Sequence, residues 1–269
     1  MFTLLSPIAF SLGPVSVRWY GLMYVFGYLF CYCFFRYVLI PRKEFPFTKE
    51  QLPDLFFAGF LGMFLGARIF YMFVYGWAQL STDPWSILRV WEGGLSFHGG
   101  LLGMIAVLYW FVKRNNVKPL YFADRLILPI PFALMLGRFG NYINGELFGR
   151  VVDPKDFSLC QYFEHGGDAC RYPSQLFEAC GEGLLLFIIL QMLWWFTHSR
   201  KVEGRIFGGF LFSYGIIRML LEGFREPDIQ IGFLFGHTTM GQLLSLPLLL
   251  FGLILIFGIG RLKRVFFRS

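Results

Sequence analysis

The sequence predicts an all-α integral membrane protein with about seven transmembrane helices, and three observations carry that prediction. Of the 269 residues, 56% are hydrophobic and 15% charged, with a mean hydropathy of +0.57, whereas an ordinary soluble domain carries about 25% charged residues. Aromatic residues reach 20%, with 35 Phe, which suits lipid contact and leaves Trp and Tyr for the interfaces. Apolar stretches of the ~20 residues that a bilayer-crossing helix needs recur at about 17–39, 52–76, 96–113, 121–139, 175–196, 205–223 and 239–260.

Each stretch has its own signature. Residues Met1 to Pro14 lack a basic leader and a small-residue cleavage pattern, so the first apolar segment is expected to stay in the protein. The second carries Gly62 and Gly66 and the sixth opens with Gly204 and Gly208, small residues that let helices approach closely in lipid. The fourth contains Pro129 and Pro131, which remove backbone donors and should kink it. Cys31, Cys33 and Cys180 fall in apolar stretches as small hydrophobes. Cys160 and Cys170 lie in a polar loop and either pair or stay free, depending on the compartment it faces. No internal repeat of the kind found in transporters is visible.

Basic residues set the orientation. Arg42, Lys43 and Lys49 follow the first span, Lys113, Arg114 and Lys118 the third, and Arg200, Lys201 and Arg205 the fifth. Arg261, Lys263, Arg264 and Arg268 follow the seventh. Alternate loops are poorer in Lys and Arg, so the positive-inside rule puts the N-terminus outside and the C-terminus in the cytoplasm. The net charge of +7 is thus spread over one membrane face. It is not gathered in a groove for nucleic acid. The expected organisation is a single polytopic domain, 1–269, with an extracytoplasmic head loop at about 140–174.

Ionisable groups in a bilayer cost about 2.5–3.5 kcal/mol each on insertion scales, so each invites a reason. Tyr20, His98, Arg138, Asn141, Arg218 and Glu222 all fall near the outer ends of their spans. Each also has a plainer reading. Tyr20 beside Trp19 could anchor an interface, Arg218 and Glu222 at i, i+4 could be a structural pair, and His98 could be a bonded core histidine. Arg68, inside the second span, is a candidate partner for Glu222 or Glu146. The convergence of six such residues on one face favours a site.

The densest segment runs from Gly137 through Arg138, Asn141, Asn144 and Glu146 to Gly149 and Arg150. Glycines permit close backbone approach, Asn both donates and accepts, and Arg offers a planar fork for phosphate oxygens. A polar turn beside lipid must line a cavity, so an anionic lipid head group is the expected tenant. Free backbone N–H groups around His98, at the start of the third span, would add to the attraction.

These motifs resemble those of the prolipoprotein diacylglyceryl transferase family across nearly the whole chain. The resemblance rests on Gly137–Gly149, on Arg18-Trp19-Tyr20-Gly21 and on His98-Gly99-Gly100. It continues through Tyr172-Pro173-Ser174-Gln175-Leu176-Phe177-Glu178, with Phe177 where the family pattern has Tyr. Tyr214-Gly215, Arg218, Glu222, Arg225-Glu226-Pro227-Asp228 and Met240-Gly241-Gln242 complete it. The loop 153–171 shares no pattern.

The resemblance implies a multi-pass enzyme of the bacterial inner membrane with its site toward the extracytoplasmic side. Phosphatidylglycerol would donate its diacylglyceryl group to the lipobox cysteine of a preprolipoprotein, with release of glycerol 1-phosphate and without metal or other cofactor. His98 is the expected base for the thiol. Arg138 and Arg218 are expected to stabilise the departing phosphate, held by Glu222 and Glu146. Asn141, Asn144, Gly149 and Tyr20 would position the head group. The competing classes are a transporter, for which Arg68 and the Asp124-Arg125 pair are the best sequence support, and another lipid-modifying enzyme that hydrolyses or transfers to an alcohol.

Overall fold

The computed structural model describes residues 6–13, 15–227, 234 and 238–258. The basic residues 261–268 and Asp228 lie outside them. The chain forms two compact units, Met1–Phe34 with Ala123–Ser269, and Phe35–Phe122.

The first unit opens with an antiparallel hairpin, β1 (Ile8–Leu12) and β2 (Val15–Arg18). The purely helical expectation missed it, because its five- and four-residue strands lie mostly before the expected first span at about 17–39, in a stretch given no secondary structure. Helix α1 (Trp19–Phe34) follows and continues as a π-helical turn, Phe35–Leu39. In the second unit α2 (Leu52–Val74) and α4 (Phe97–Arg114) pair, with the short α3 (Trp77–Thr82) and two 3-10 turns, Pro84–Leu88 and Val90–Glu92, between them. The Gly62/Gly66 ridge does what its spacing suggests. A methyl on Gly62 would stand 2.7 Å from the Gly103 carbonyl oxygen, and one on Gly66 2.5 Å from that of Gly99. Backbones meet directly there.

Helices α5 (Pro119–Leu126) and α6 (Ile130–Asn144) are bent by 48° at the break where Pro129 stands. This is the kink the prolines require. The next span is α7 (Ser174–Glu178), a π-helical stretch Ala179–Leu185, and α8 (Leu186–Phe196). Helices α9 (Arg205–Leu221) and α10 (Met240–Phe257) pack together through Gly208 and Gly252.

Among the described residues four helices are long and apolar enough to cross a membrane: Trp19–Leu39, Leu52–Val74, Ser174–Phe196 and Met240–Phe257. The bent α5–α6 pair makes a fifth. The other two expected spans form as helices at the expected places but do not reach that standard. His98, Lys113 and Arg114 dilute the ends of α4, and α9 has 17 residues with Arg205 and Arg218 among them.

Two charges that supported a transport pathway have structural partners. Asp124 accepts from the backbone N–H groups of Gly204 (2.7 Å) and Phe207 (2.8 Å), satisfying orphan donors at the start of α9. The Arg68 guanidinium donates within its own unit, to the carbonyls of Ser86, Ile87, Arg89, Gly93 and Gly94.

Candidate active site

The segment after Pro173 turns helical, and its π-helical stretch sets the centre of the first unit. Gly181 and Gly183 flank Glu182. A methyl on Gly183 would lie 2.8 Å from the Met135 Cα of α6, and one on Gly181 2.9 Å from Ile217 and Leu221 of α9. The two glycines therefore let α6 and α9 close on the helix at the level of Glu182. Arg138 stands one turn beyond Met135, and Arg218 next to Ile217.

The result is a charge lattice. Arg138 Nη1 lies 2.8 Å from Glu178 Oε2 and its Nη2 2.9 Å from Glu182 Oε2. Arg218 Nη1 lies 2.9 Å from Glu178 Oε1 and 3.1 Å from Glu182 Oε1, and its Nη2 lies 2.7 Å from Glu222 Oε2. Each of Glu178 and Glu182 thus spends one oxygen on each arginine. Arg225 Nη1 adds a 3.3 Å contact to Glu178. The glutamates are about 1% exposed, against 19% for Arg138 and 12% for Arg218. The ion pairs occupy the Nη atoms; among the described residues the Nε edges of Arg138 and Arg218 carry no partner. Buried carboxylates fix the two forks, and donors remain for an anion.

Glu222 holds Arg218 as the i, i+4 spacing suggests, and it lies under the first turn of α10. A methyl on Gly241 would be 2.7 Å from its Oε2. A capping box between Thr239 and Gln242 secures that turn. Glu146 does not hold either arginine: it is exposed and takes the Asn144 amide at 3.3 Å. The carboxylates shared by both arginines are Glu178 and Glu182. The intramembrane cost rule could have found Glu182, which interrupts an apolar stretch, and Glu178 lies one turn before it.

The rest of the glycine-rich run follows Arg138 through the end of α6 and into the turn beyond it. Gly145 ends α6 in the left-handed region at φ 67°. Gln175 donates to the Glu146 carbonyl (2.7 Å) and Ser174 to that of Leu147 (3.0 Å). Gly149 is closed in: a methyl there would meet the Phe224 carbonyl at 2.5 Å and that of Tyr172 at 2.6 Å. Asn141 is buried on α6, and Tyr20 packs on Gly140 beside it, with its hydroxyl 2.9 Å from that of Tyr24. Cys160 and Cys170 form a disulfide in the head loop. Tyr20, Arg138, Asn141, Asn144, Arg218 and Glu222 all belong to this unit.

His98 belongs to the second unit. It is exposed in the first turn of α4, with its ring 5.7 Å from that of Phe97. Ser96 caps that turn by accepting from Gly99 N at 3.3 Å, so one of the N–H groups expected to be free is already engaged.

The chain is similar to curated relatives over nearly its whole length. A phosphatidylglycerol–prolipoprotein diacylglyceryl transferase of Vibrio vulnificus (strain YJ016) is 45% identical over 258 residues, covering 95% of this chain and 92% of the relative. The protein of that name from Aeromonas hydrophila is 40% identical over 272 residues, covering 100% and 96%, and one from Vibrio cholerae is 43% identical over 256, covering 95% and 92%. Residues 7–258 match the family described as prolipoprotein diacylglyceryl transferase, and the chain belongs to that family.

Proposed function

We propose that this chain transfers the diacylglyceryl group of phosphatidylglycerol to the lipobox cysteine of preprolipoproteins, in the first step of bacterial lipoprotein maturation. The supporting observation is the pair Arg138 and Arg218, each fixed by the same two buried carboxylates with its Nε edge left over.

In the reaction the cysteine sulfur attacks the glyceryl CH₂ that carries the phosphate ester. A C–S bond forms, the C–O bond breaks, and the electron pair leaves with glycerol 1-phosphate. The thiol proton must go to a base, because a free thiol with pKa ≈ 8.5 is only a few per cent thiolate at neutral pH. His98 is the base in this reading. Arg138 and Arg218 take the charge that grows on the departing phosphate. They require no reorganisation, because Glu178, Glu182 and Glu222 already hold them. Asn141, Asn144, Glu146, Gly149 and Tyr20 shape the head-group side of the site.

The topology that goes with this reading has seven spans in one polytopic domain of the bacterial inner membrane, N-terminus outside and C-terminus cytoplasmic. The head loop at about 140–174 and the site then face the extracytoplasmic side. Its support is the placement of basic residues. The test is release of glycerol phosphate from phosphatidylglycerol by purified protein. Release should require a lipobox peptide with a free cysteine thiol; release without peptide would make the chain a hydrolase.

A further inference from the structure

The head loop ends in Arg171, whose backbone is paired on both sides. Arg171 and Gln161 exchange both backbone hydrogen bonds, each 2.9 Å, and the disulfide joins the residues just before them, Cys170 and Cys160. On the other side Gly149 N donates to the Tyr172 carbonyl at 2.9 Å, Tyr172 N to that of Arg150 at 3.1 Å, and Val152 N to that of Cys170 at 2.9 Å. The segment 170–172 is therefore fixed before its side chains are considered.

The Arg171 side chain reaches out from that platform. Its Nε donates to the Gly166 carbonyl at 2.9 Å, and its Nη1 lies 3.2 Å from both the Gly149 carbonyl and Glu226 Oε2. The guanidinium carbon sits 4.8 Å from the centre of the Phe148 ring, which stacks in turn on Phe163. The side chain is 15% exposed, so these bonds are largely sheltered from water. Gly149 is buried, and a buried carbonyl needs a donor.

The two acceptors of Nη1 belong to segments that meet each other. Gly149 and Arg225 form an antiparallel bridge, Arg150 N donates to the Phe224 carbonyl at 2.9 Å, and Arg150 Nε donates to that of Arg225 at 2.9 Å. Arg225 in turn reaches Glu178 at 3.3 Å, the carboxylate that both Arg138 and Arg218 share. One nitrogen thus ties the head loop to the end of the glycine-rich run and to the chain that touches the charge lattice.

We propose that Arg171 is a positioning residue for phosphatidylglycerol recognition, because it holds the Gly149 carbonyl beside Glu226 and so fixes the backbone on the head-group side of the site. This role rests on the part of the transferase reading that puts the lipid head group beside Gly149, and not on the transfer step itself.

The test uses purified full-length protein with Arg171→Gln, Arg171→Lys and Glu226→Gln, and with Glu164→Ala in the exposed part of the head loop as control. Binding of phosphatidylglycerol against phosphatidylcholine is read without peptide by native mass spectrometry, and transfer by the mass of a lipobox peptide. Arg171→Gln should weaken phosphatidylglycerol binding and raise its KM about tenfold, the scale of one lost charge-assisted hydrogen bond, with kcat and the peptide KM near wild type. Arg171→Lys keeps the charge but not the fork, and should fall between the two. Glu226→Gln added to Arg171→Gln should change little more, because the two residues share one contact. Unchanged phosphatidylglycerol affinity in folded Arg171→Gln would overturn the proposal, and so would a loss confined to kcat or to the unfolding midpoint. If Arg171→Gln does not fold, Arg171→Lys decides by the same readings. Wild-type protein that prefers phosphatidylglycerol but transfers nothing would sink the transferase reading alone; wild-type protein with no such preference would sink this inference.

Discussion

Arg138 and Arg218 stand where an apolar environment makes every unpaired charge expensive, and the structure answers with two glutamates that each touch both. Removing one partner of a buried ion pair costs about 3–5 kcal/mol, because the survivor is left uncompensated. Glu178→Ala should therefore lower the unfolding midpoint in detergent far more than Glu146→Ala, whose carboxylate is exposed. Equal effects would mean that the lattice carries no stability. Arg138→Lys keeps the charge but not the fork that spans Glu178 and Glu182. Its turnover should fall about 10²–10³-fold, the usual cost of losing a fixed donor to developing charge, with expression near wild type. His98→Gln should cost about 10²–10⁴-fold if the imidazole takes the thiol proton. Full activity would pass that role to another group.

Among the elements, the π-helical stretch Ala179–Leu185 and its glycines decide whether the site exists at all. Gly183→Leu would push Met135 and α6 away from Glu182, so activity should vanish even though no charged residue has changed. Asp124→Ala separates structure from transport. It should cost about 0.5–2 kcal/mol as a lost helix-start acceptor while specific activity per folded molecule stays unchanged; lost activity in a well-folded variant would give Asp124 a direct role.

Much of this scale was legible in advance. The periodless apolar stretches located the helices to within a few residues, five of them candidate spans when the bent pair counts as one, Pro129 announced the bend, and Gly62 and Gly66 announced a close helix pair. The hairpin at 8–18 was not legible, since four or five residues in an apolar context read equally well as helix. The site was half legible. Cost in lipid pointed to Arg138, Arg218 and Glu222, but nothing local says which carboxylates answer an arginine. Glu146, eight residues from Arg138 in sequence, looks the better partner until α7 and the π-helical stretch after it bring Glu178 and Glu182 across.

For the whole molecule, the even spacing of basic loops makes a testable map. Single cysteines at Lys49, Lys118 and Lys201 should be labelled from one side of intact inverted vesicles, and one at Glu164 in the head loop from the other. Labelling of all four from the same side would undo the orientation. The measurement that bears most directly on the central claim is a mass assay with purified protein, phosphatidylglycerol and a lipobox peptide. The account predicts that the peptide gains one diacylglyceryl group on its cysteine, that a Cys→Ser peptide gains none, and that Arg138→Ala enzyme adds none to either. An unmodified peptide with folded wild-type protein, or an adduct formed equally well by Arg138→Ala, would contradict it.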